Sequence, residues 1–144
     1  MGRYRYTRRI DASPDEVFRG FTDPELLADW MDAAAVTAAT GPLGDAGTRY
    51  TLVIRGPWRF WTEVLRSEPG RAYEIGGTGP LGARYRMLAT LSARPDAGTD
   101  LDLAMEWTVP LGPIGRWIDR RWIEPGPHTS GHREVDRLVT LVSR

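Results

Sequence analysis

The sequence predicts a single α+β domain over residues 1–144, in which a seven-stranded, curved antiparallel sheet is wrapped around a long C-terminal helix. Three observations lead to this prediction. The chain has 144 residues, which is the size of one ordinary domain. Apolar and polar residues alternate with a period of two over most of residues 3–109, as in strands with one buried face. Helical spacing of apolar residues is confined to a stretch after the first strand and to the C-terminal section.

The N-terminal segment contains one strand and two short helices. Residues 3–11 alternate in polarity, which predicts a strand with one half-buried face. Ser13 is a good N-cap and Pro14 suits the first helical position, so a short helix is expected over residues 14–21. Pro24, which follows an Asp, repeats this signal and begins a second short helix.

The middle of the chain is predicted to form six further strands. Gly- and Pro-rich breaks separate the alternating segments, and strands joined by such short turns pair antiparallel. The predicted strands are residues 35–40, 48–55, 58–67, 72–76, 83–94 and 99–109.

The C-terminal section is predicted to be helical and to cover one face of the sheet. Two stretches place apolar residues on one helical face. They are Ile114, Trp117, Ile118 and Trp122, and then Val135, Leu138, Val139 and Val142. The segment 124–131 between them contains two prolines and two glycines, so the long helix is expected to be broken or kinked there.

Composition excludes several classes of function. The chain has no cysteine, so disulfides and thiolate chemistry are absent. Its formal net charge is +0, which argues against nucleic-acid binding. No apolar run is long enough to span a membrane, and the first residues lack the apolar core of a signal peptide. We therefore expect a cytoplasmic protein, either a monomer or a homodimer.

A more specific pattern lies in residues 10–31, IDASPDEVFRGFTDPELLADWM. It combines A-x-P-x-x-V-F at residues 12–18 with T-D-P-x-x-L-x-x-W at residues 22–30. This stretch resembles the start of the START-like helix-grip superfamily (SRPBCC), in particular its polyketide cyclase/dehydratase branch. The order of elements over the whole chain also fits that superfamily.

The resemblance implies a deep, mostly apolar cavity between the sheet and the C-terminal helix. Members bind lipids, sterols, quinones, plant hormones or polyketides, and a minority catalyse cyclisation, aromatisation or dehydration. Aromatase/cyclase members carry an arginine on the fourth strand within the cavity. Val64 stands at that place here, and Arg59 and Arg66 are expected to point to the other face. Aromatic ring formation of that type is therefore not expected.

Aromatic and methionine side chains are the candidate ligand-binding residues. The chain has 6 Trp and 5 Tyr, whose polar groups need partners when buried and can orient a flat ligand. Strand alternation and helical spacing select Trp30, Tyr50, Trp58, Phe60, Tyr73, Tyr85, Met87, Met105, Trp107, Trp117 and Trp122. Trp61 alternates onto the outer face, where a dimer contact or a surface patch would explain it.

Four residues are candidates for acid/base chemistry. Tyr85 lies on the predicted inner face, and His128 and His132 titrate near neutral pH. Glu106 is a weaker candidate because alternation sends it to the solvated face. The two histidines have the spacing of metal ligands, but no third ligand is apparent, so no metal or cofactor is expected.

The segment 77–82 fits the letters of a G-x-G-x-x-G nucleotide motif. That motif needs a helix after it, and the alternating residues that follow predict a strand, so we interpret it as a hairpin loop.

The sequence thus predicts a protein that binds a hydrophobic, polyketide-like or other polycyclic aromatic molecule and has the potential to cyclise or dehydrate it. The alternatives are a non-catalytic carrier or sensor of a lipid, quinone or aromatic ligand, and a chaperone-activator module.

Overall fold

A computed structural model describes residues 2–30, 33–54, 58–108 and 136–140. Within them the chain forms seven strands, two short helices and one 3-10 turn, followed by helical residues at 136–140. The elements are β1 (Gly2–Ile10), α1 (Pro14–Thr22), α2 (Pro24–Trp30), β2 (Ala33–Thr37), β3 (Arg49–Ile54), β4 (Trp58–Glu68), β5 (Ala72–Thr78), the 3-10 turn (Pro80–Gly82), β6 (Arg84–Ala93) and β7 (Thr99–Thr108). None of the described helices is long and apolar enough to cross a membrane.

The seven strands form one antiparallel sheet in the order β1-β7-β6-β5-β4-β3-β2. Because β1 and β2 occupy opposite edges, α1 and α2 carry the chain from one edge to the other. This α+β architecture confirms the predicted class and agrees with the helix-grip fold.

Three strand ends differ from the prediction by two residues or more, and the first is the start of β2 at Ala33 instead of residue 35. β2 ends at Thr37 and not at residue 40, because Ala38 has a φ of 55° and leaves the extended conformation. β5 continues to Thr78, two residues beyond the prediction. Gly76 and Gly77 stay extended because they pair with both β4 and β6, which outweighs the low strand propensity of glycine.

The core lies on one face of the sheet, which we call the concave face. α1 begins where expected, since Ser13 Oγ accepts a hydrogen bond from the amide N–H of Glu16 at 3.3 Å. The helix buries Val17, Phe18 and Phe21 against this face. The ring of Phe18 stands edge-on to Tyr73, with 5.6 Å between the centroids.

The opposite, outer face carries a series of cross-strand ion pairs. They join Arg3 to Glu106, Arg5 to Asp102, Arg49 to Glu63 and Arg86 to Glu74. Most of these side chains are well exposed, so water screens each pair and it adds little to the free energy of unfolding. The alternation of charge outside and apolar residues inside fixes the register of the strands.

The last described residues connect the C-terminal section to the concave face. Leu138 is fully buried in the core, and Val139 packs against it. Arg8, on the concave face of β1, lies 3.4 Å from the carboxylate of Asp136. The predicted break at 124–131 lies outside the described residues, as do Trp117, Trp122, His128 and His132.

Candidate functional site

One row of side chains crosses the concave face from β7 to β3. The strand register places Trp107 opposite Tyr85, Tyr85 opposite Gly77, Gly77 opposite Thr62, and Thr62 opposite Tyr50. The row therefore brings two phenol hydroxyls, one aliphatic hydroxyl and one indole N–H to a single level of the sheet.

Tyr85 and Thr62 form the centre of this row. The Tyr85 hydroxyl and Thr62 Oγ1 are hydrogen-bonded to each other, although the residues lie on strands two positions apart. Gly77 on the strand between them carries no side chain, so the two can meet above it. A Cβ at Gly77 would collide with the backbone oxygen of Trp61. Phe60 packs edge-on against the Tyr85 ring, with 5.6 Å between the centroids.

Two polar atoms of the row lack hydrogen-bond partners within the part of the chain that the structure describes. The hydroxyl of Tyr50, a residue only 3% exposed, has none, and neither has the indole nitrogen of Trp107. Leaving one such group buried and unpaired costs about 1–3 kcal/mol. A bound molecule with an oxygen acceptor would remove that cost at Tyr50.

Burial keeps the tyrosines of this face neutral. It raises the pKa of Tyr50, Tyr73 and Tyr85 above the ordinary value for tyrosine, because the phenolate would lose its hydration. The neighbouring Tyr85 and Tyr73 raise the pKa of Tyr50 further, whereas the hydrogen bond with Thr62 lowers that of Tyr85. All three are hydrogen-bond donors, and none of them is a base near neutral pH.

The next row of the concave face is wholly apolar. Met105, Met87, Ile75 and Val64 are neighbours across four strands. Val64 is buried at the position where the resemblance implies an arginine in aromatase/cyclase members. Flexible methionine side chains beside a row of polar aromatics suit an apolar ligand of irregular outline.

Both arginines that flank this strand position are exposed on the outer face. Arg59 points outward by simple alternation. Arg66 would point inward by alternation, but a β-bulge between Val64 and Arg66 turns it outward, where it pairs with Glu68 at 3.0 Å. The bulge keeps a charge out of the apolar face.

Other predicted ligand-binding residues occupy different environments. Trp30 is buried and donates its indole N–H to the carbonyl of Gly20 at 2.8 Å, and Tyr73 donates its hydroxyl to the carbonyl of Leu43 at 2.5 Å. Both are satisfied members of the core. Phe60 is partly buried, whereas Trp58 is 49% exposed at the start of β4.

Glu106 lies on the outer face, where its carboxylate is 3.5 Å from the guanidinium of Arg3. It is therefore separated by the sheet from the row described above. Among the described residues, no cluster of His, Asp or Glu could hold a metal ion. The positions of His128 and His132 fall outside those residues.

The prediction from sequence missed Thr62 and Gly77. Thr62 carries a signal in the sequence, since it alternates inward with Phe60 and Val64. Gly77 carries no sequence signal beyond its place in the 77–82 loop motif. The structure places that segment at the end of β5 and in a 3-10 turn followed by β6, which is the expected hairpin and not a nucleotide-binding loop.

A groove of about 810 Å³ is lined mainly by residues of the outer face, and Tyr50, Thr62, Gly77 and Tyr85 of the polar row also border it. Its outer-face lining includes Trp61, Thr78, Arg84, Glu63 and Arg86. Glu63 and Arg86 are ion-paired with neighbours, and no buried polar atom without a partner is found on that side of the described residues. The concave face is therefore the better candidate for ligand binding.

Comparison with solved structures supports the fold assignment. Protein MLL2253 from Mesorhizobium loti superimposes with a TM-score of 0.75 at 20% identity, covering 98% of this chain and 96% of that one. A conserved protein from Geobacillus kaustophilus gives a TM-score of 0.77 at 15% identity, with 98% and 95% coverage. Norcoclaurine synthase from Thalictrum flavum gives 0.68 at 17% identity, with 98% and 86% coverage. At these identities the likeness shows the fold alone.

Sequence comparison identifies the family. No curated protein matches the chain significantly. The family described as polyketide cyclase/dehydrase and lipid transport matches residues 1–143, which is nearly the whole chain. The resemblance in residues 10–31 is thereby confirmed, and the chain belongs to the polyketide cyclase/dehydrase and lipid transport family.

Proposed function

We propose that the protein binds a neutral, hydrophobic small molecule, polyketide-like or otherwise polycyclic and aromatic, on the concave face of its sheet. An oxygen of the ligand accepts a hydrogen bond from Tyr50. The observation that carries the proposal is the Tyr50 hydroxyl, which is buried without a partner in the described structure next to the Tyr85–Thr62 pair. Membership of a family of cyclases and lipid transporters supports an apolar ligand.

The charge of the concave face favours a neutral ligand. Among the described strand residues, Arg8 is the one charged side chain that the register places on this face, and it lies beside Asp136 of the C-terminal helical residues. A ligand with a carboxylate or phosphate at the polar row would meet no countercharge among the described strand residues, and burying an unpaired charge is costly.

The described side chains favour a ligand carrier over an enzyme. Cyclisation or dehydration of a polyketide needs a group that accepts a proton, and tyrosines with raised pKa values do not supply it. His128 and His132 are the remaining candidates for that role. The enzyme hypothesis therefore predicts turnover with a bell-shaped pH profile that disappears in His128→Ala or His132→Ala, whereas a carrier binds without turnover.

Substitution of Tyr50 by Phe tests the proposal. The probe is a dihydroxyanthraquinone, a flat molecule with carbonyl acceptors, titrated by quenching of tryptophan fluorescence. Loss of one neutral hydrogen bond lowers affinity about tenfold or somewhat less. The free energy of unfolding of the ligand-free protein stays the same or rises, because Tyr50→Phe removes a buried hydroxyl without a partner.

Tyr73→Phe is the matched control. It removes a hydroxyl already bonded to the carbonyl of Leu43, so we expect a loss of about 1 kcal/mol in stability and unchanged affinity for the probe. Equal affinity of wild type and Tyr50→Phe, or an equal loss in both variants, would contradict the proposal.

A further inference from the structure

Large apolar side chains are exposed at one end of the sheet. Trp58 is 49% exposed, Trp61 is 58% exposed and Leu81 is 57% exposed. In the described part of the chain, only Leu65 joins them as an exposed large apolar residue, at 41%. Three of four such residues thus belong to two short segments, 58–61 and 79–84, which we call the tip.

The two segments of the tip lie side by side. Trp61 pairs with Thr78 across β4 and β5, and Thr78 pairs with Arg84 across β5 and β6, so Trp61 and Arg84 are close neighbours on one face. Gly79 packs against β4 so closely that a Cβ there would lie 2.5 Å from Cε1 of Phe60. Leu81 has a φ of 59°, a left-handed conformation that is uncommon for leucine. Arg59, Trp61 and Arg84 alternate onto the outer face, and Leu81 lies in the adjoining 3-10 turn, so these four residues form one patch at this end of the sheet. Trp58 is exposed at the same end and alternates onto the opposite face.

The charge of the tip is purely positive. Arg59 and Arg84 are exposed, and neither has an acidic partner among the described residues. Other arginines of the outer face, such as Arg49 and Arg86, are paired with Glu63 and Glu74. Segments 58–61 and 79–84 contain no Asp or Glu, although the whole chain has a formal net charge of +0.

We propose that the tip docks on a lipid bilayer that contains anionic headgroups. Indole rings partition to the boundary between headgroups and acyl chains, where one edge is apolar and the other is hydrated. Arginines without partners are attracted to the negative surface of such a bilayer. An end of the sheet that exposes apolar side chains beside arginines suits insertion between anionic headgroups.

The tip also lies next to the candidate ligand site. Trp61 precedes Thr62 in β4, and Arg84 precedes Tyr85 in β6, so the polar row begins where the tip ends. A docked tip would hold this end of the concave face against the bilayer, and an apolar ligand would pass between them without crossing water. This role in ligand exchange rests on the proposed function, whereas docking itself does not.

Cosedimentation with vesicles tests the proposal. The protein is mixed with vesicles of phosphatidylcholine alone or of phosphatidylcholine with phosphatidylglycerol. We expect binding to the anionic vesicles that weakens at high salt, since salt screens exposed charges. The double variants Trp61→Ser/Leu81→Ser and Arg59→Ala/Arg84→Ala should each lower the partition coefficient by about tenfold.

The control variants are Leu65→Ser and Arg9→Ala, which alter an exposed leucine outside the two tip segments and an exposed arginine of β1. Both should bind vesicles as the wild type does, and circular dichroism checks that all variants are folded. The proposal would be overturned if the wild type did not bind the vesicles, or if tip and control variants bound them equally. It would also be overturned if the protein bound acidic proteins but not vesicles. Titration with the anthraquinone in the absence of vesicles tests the proposed function separately from docking. The tip variants should bind the anthraquinone as tightly as the wild type does, even where they no longer bind vesicles.

Discussion

The hydrogen bond between Tyr85 and Thr62 depends on the lack of a side chain at Gly77. Their hydroxyl groups come together over a strand that presents only a hydrogen atom at the intervening position. Strand alternation alone places Tyr50, Tyr85 and Trp107 on one face. It does not show which hydroxyls are hydrogen-bonded, because that depends on the cross-strand register and on the glycine between the two side chains.

At the residue scale, we predict that Gly77→Ala destabilises the protein by about 2–3 kcal/mol, since the new methyl group would overlap the backbone oxygen of Trp61. Urea unfolding followed by circular dichroism measures the change. Gly44→Ala is the control: its Cβ would lie 3.8 Å from the Thr22 methyl group, an ordinary contact, and we expect a change within about 0.5 kcal/mol. Similar stability of the two variants would show that β4 and β5 can separate freely at Gly77.

The elements of this fold differ in how well local sequence determines them. α1 is predicted to within one residue because Ser13 and Pro14 act locally. The ends of β2 and β5 are missed because they depend on a left-handed residue at Ala38 and on pairing across Gly77. Leu138 anchors the C-terminal helical residues in the core. Its burial agrees with the apolar spacing that predicts a helix there.

At the element scale, Leu138→Ala should lower the free energy of unfolding by about 2–5 kcal/mol, because it removes a fully buried side chain that joins the C-terminal helical residues to the core. Thr140→Ala changes an exposed residue two positions away, whose hydroxyl bonds only to the carbonyl of Asp136, and it should be nearly neutral. The comparison is made by thermal and urea denaturation. Equal behaviour of both variants would mean that the C-terminal helical residues do not contribute to the stability of the core.

For the whole molecule, Tyr50, Tyr73 and Tyr85 couple folding to alkaline pH. Their pKa values in the folded protein are raised, so the folded state holds these protons more tightly than the unfolded state does. Stability from this source is fully present below the unfolded tyrosine pKa of about 10 and is lost as the pH rises above it.

We therefore predict that stability falls steeply above pH ~10 and that these three tyrosines ionise only as the protein unfolds. The ultraviolet absorbance of tyrosinate and the far-ultraviolet circular dichroism are recorded over the same pH series. Coincident transitions are expected. Ionisation of all five tyrosines in a folded protein would contradict the neutral, buried donors on which the proposed site depends.

Native mass spectrometry of the wild type and Tyr50→Phe, with extraction of any small molecule that copurifies, tests the central claim most directly. We predict that the wild type retains one equivalent of a neutral, apolar compound with a carbonyl or hydroxyl oxygen, or takes up the anthraquinone probe, and that Tyr50→Phe retains distinctly less. The claim would be contradicted if the wild type carried no small molecule and took up no such compound. It would also be contradicted if the wild type and Tyr50→Phe held the compound equally well.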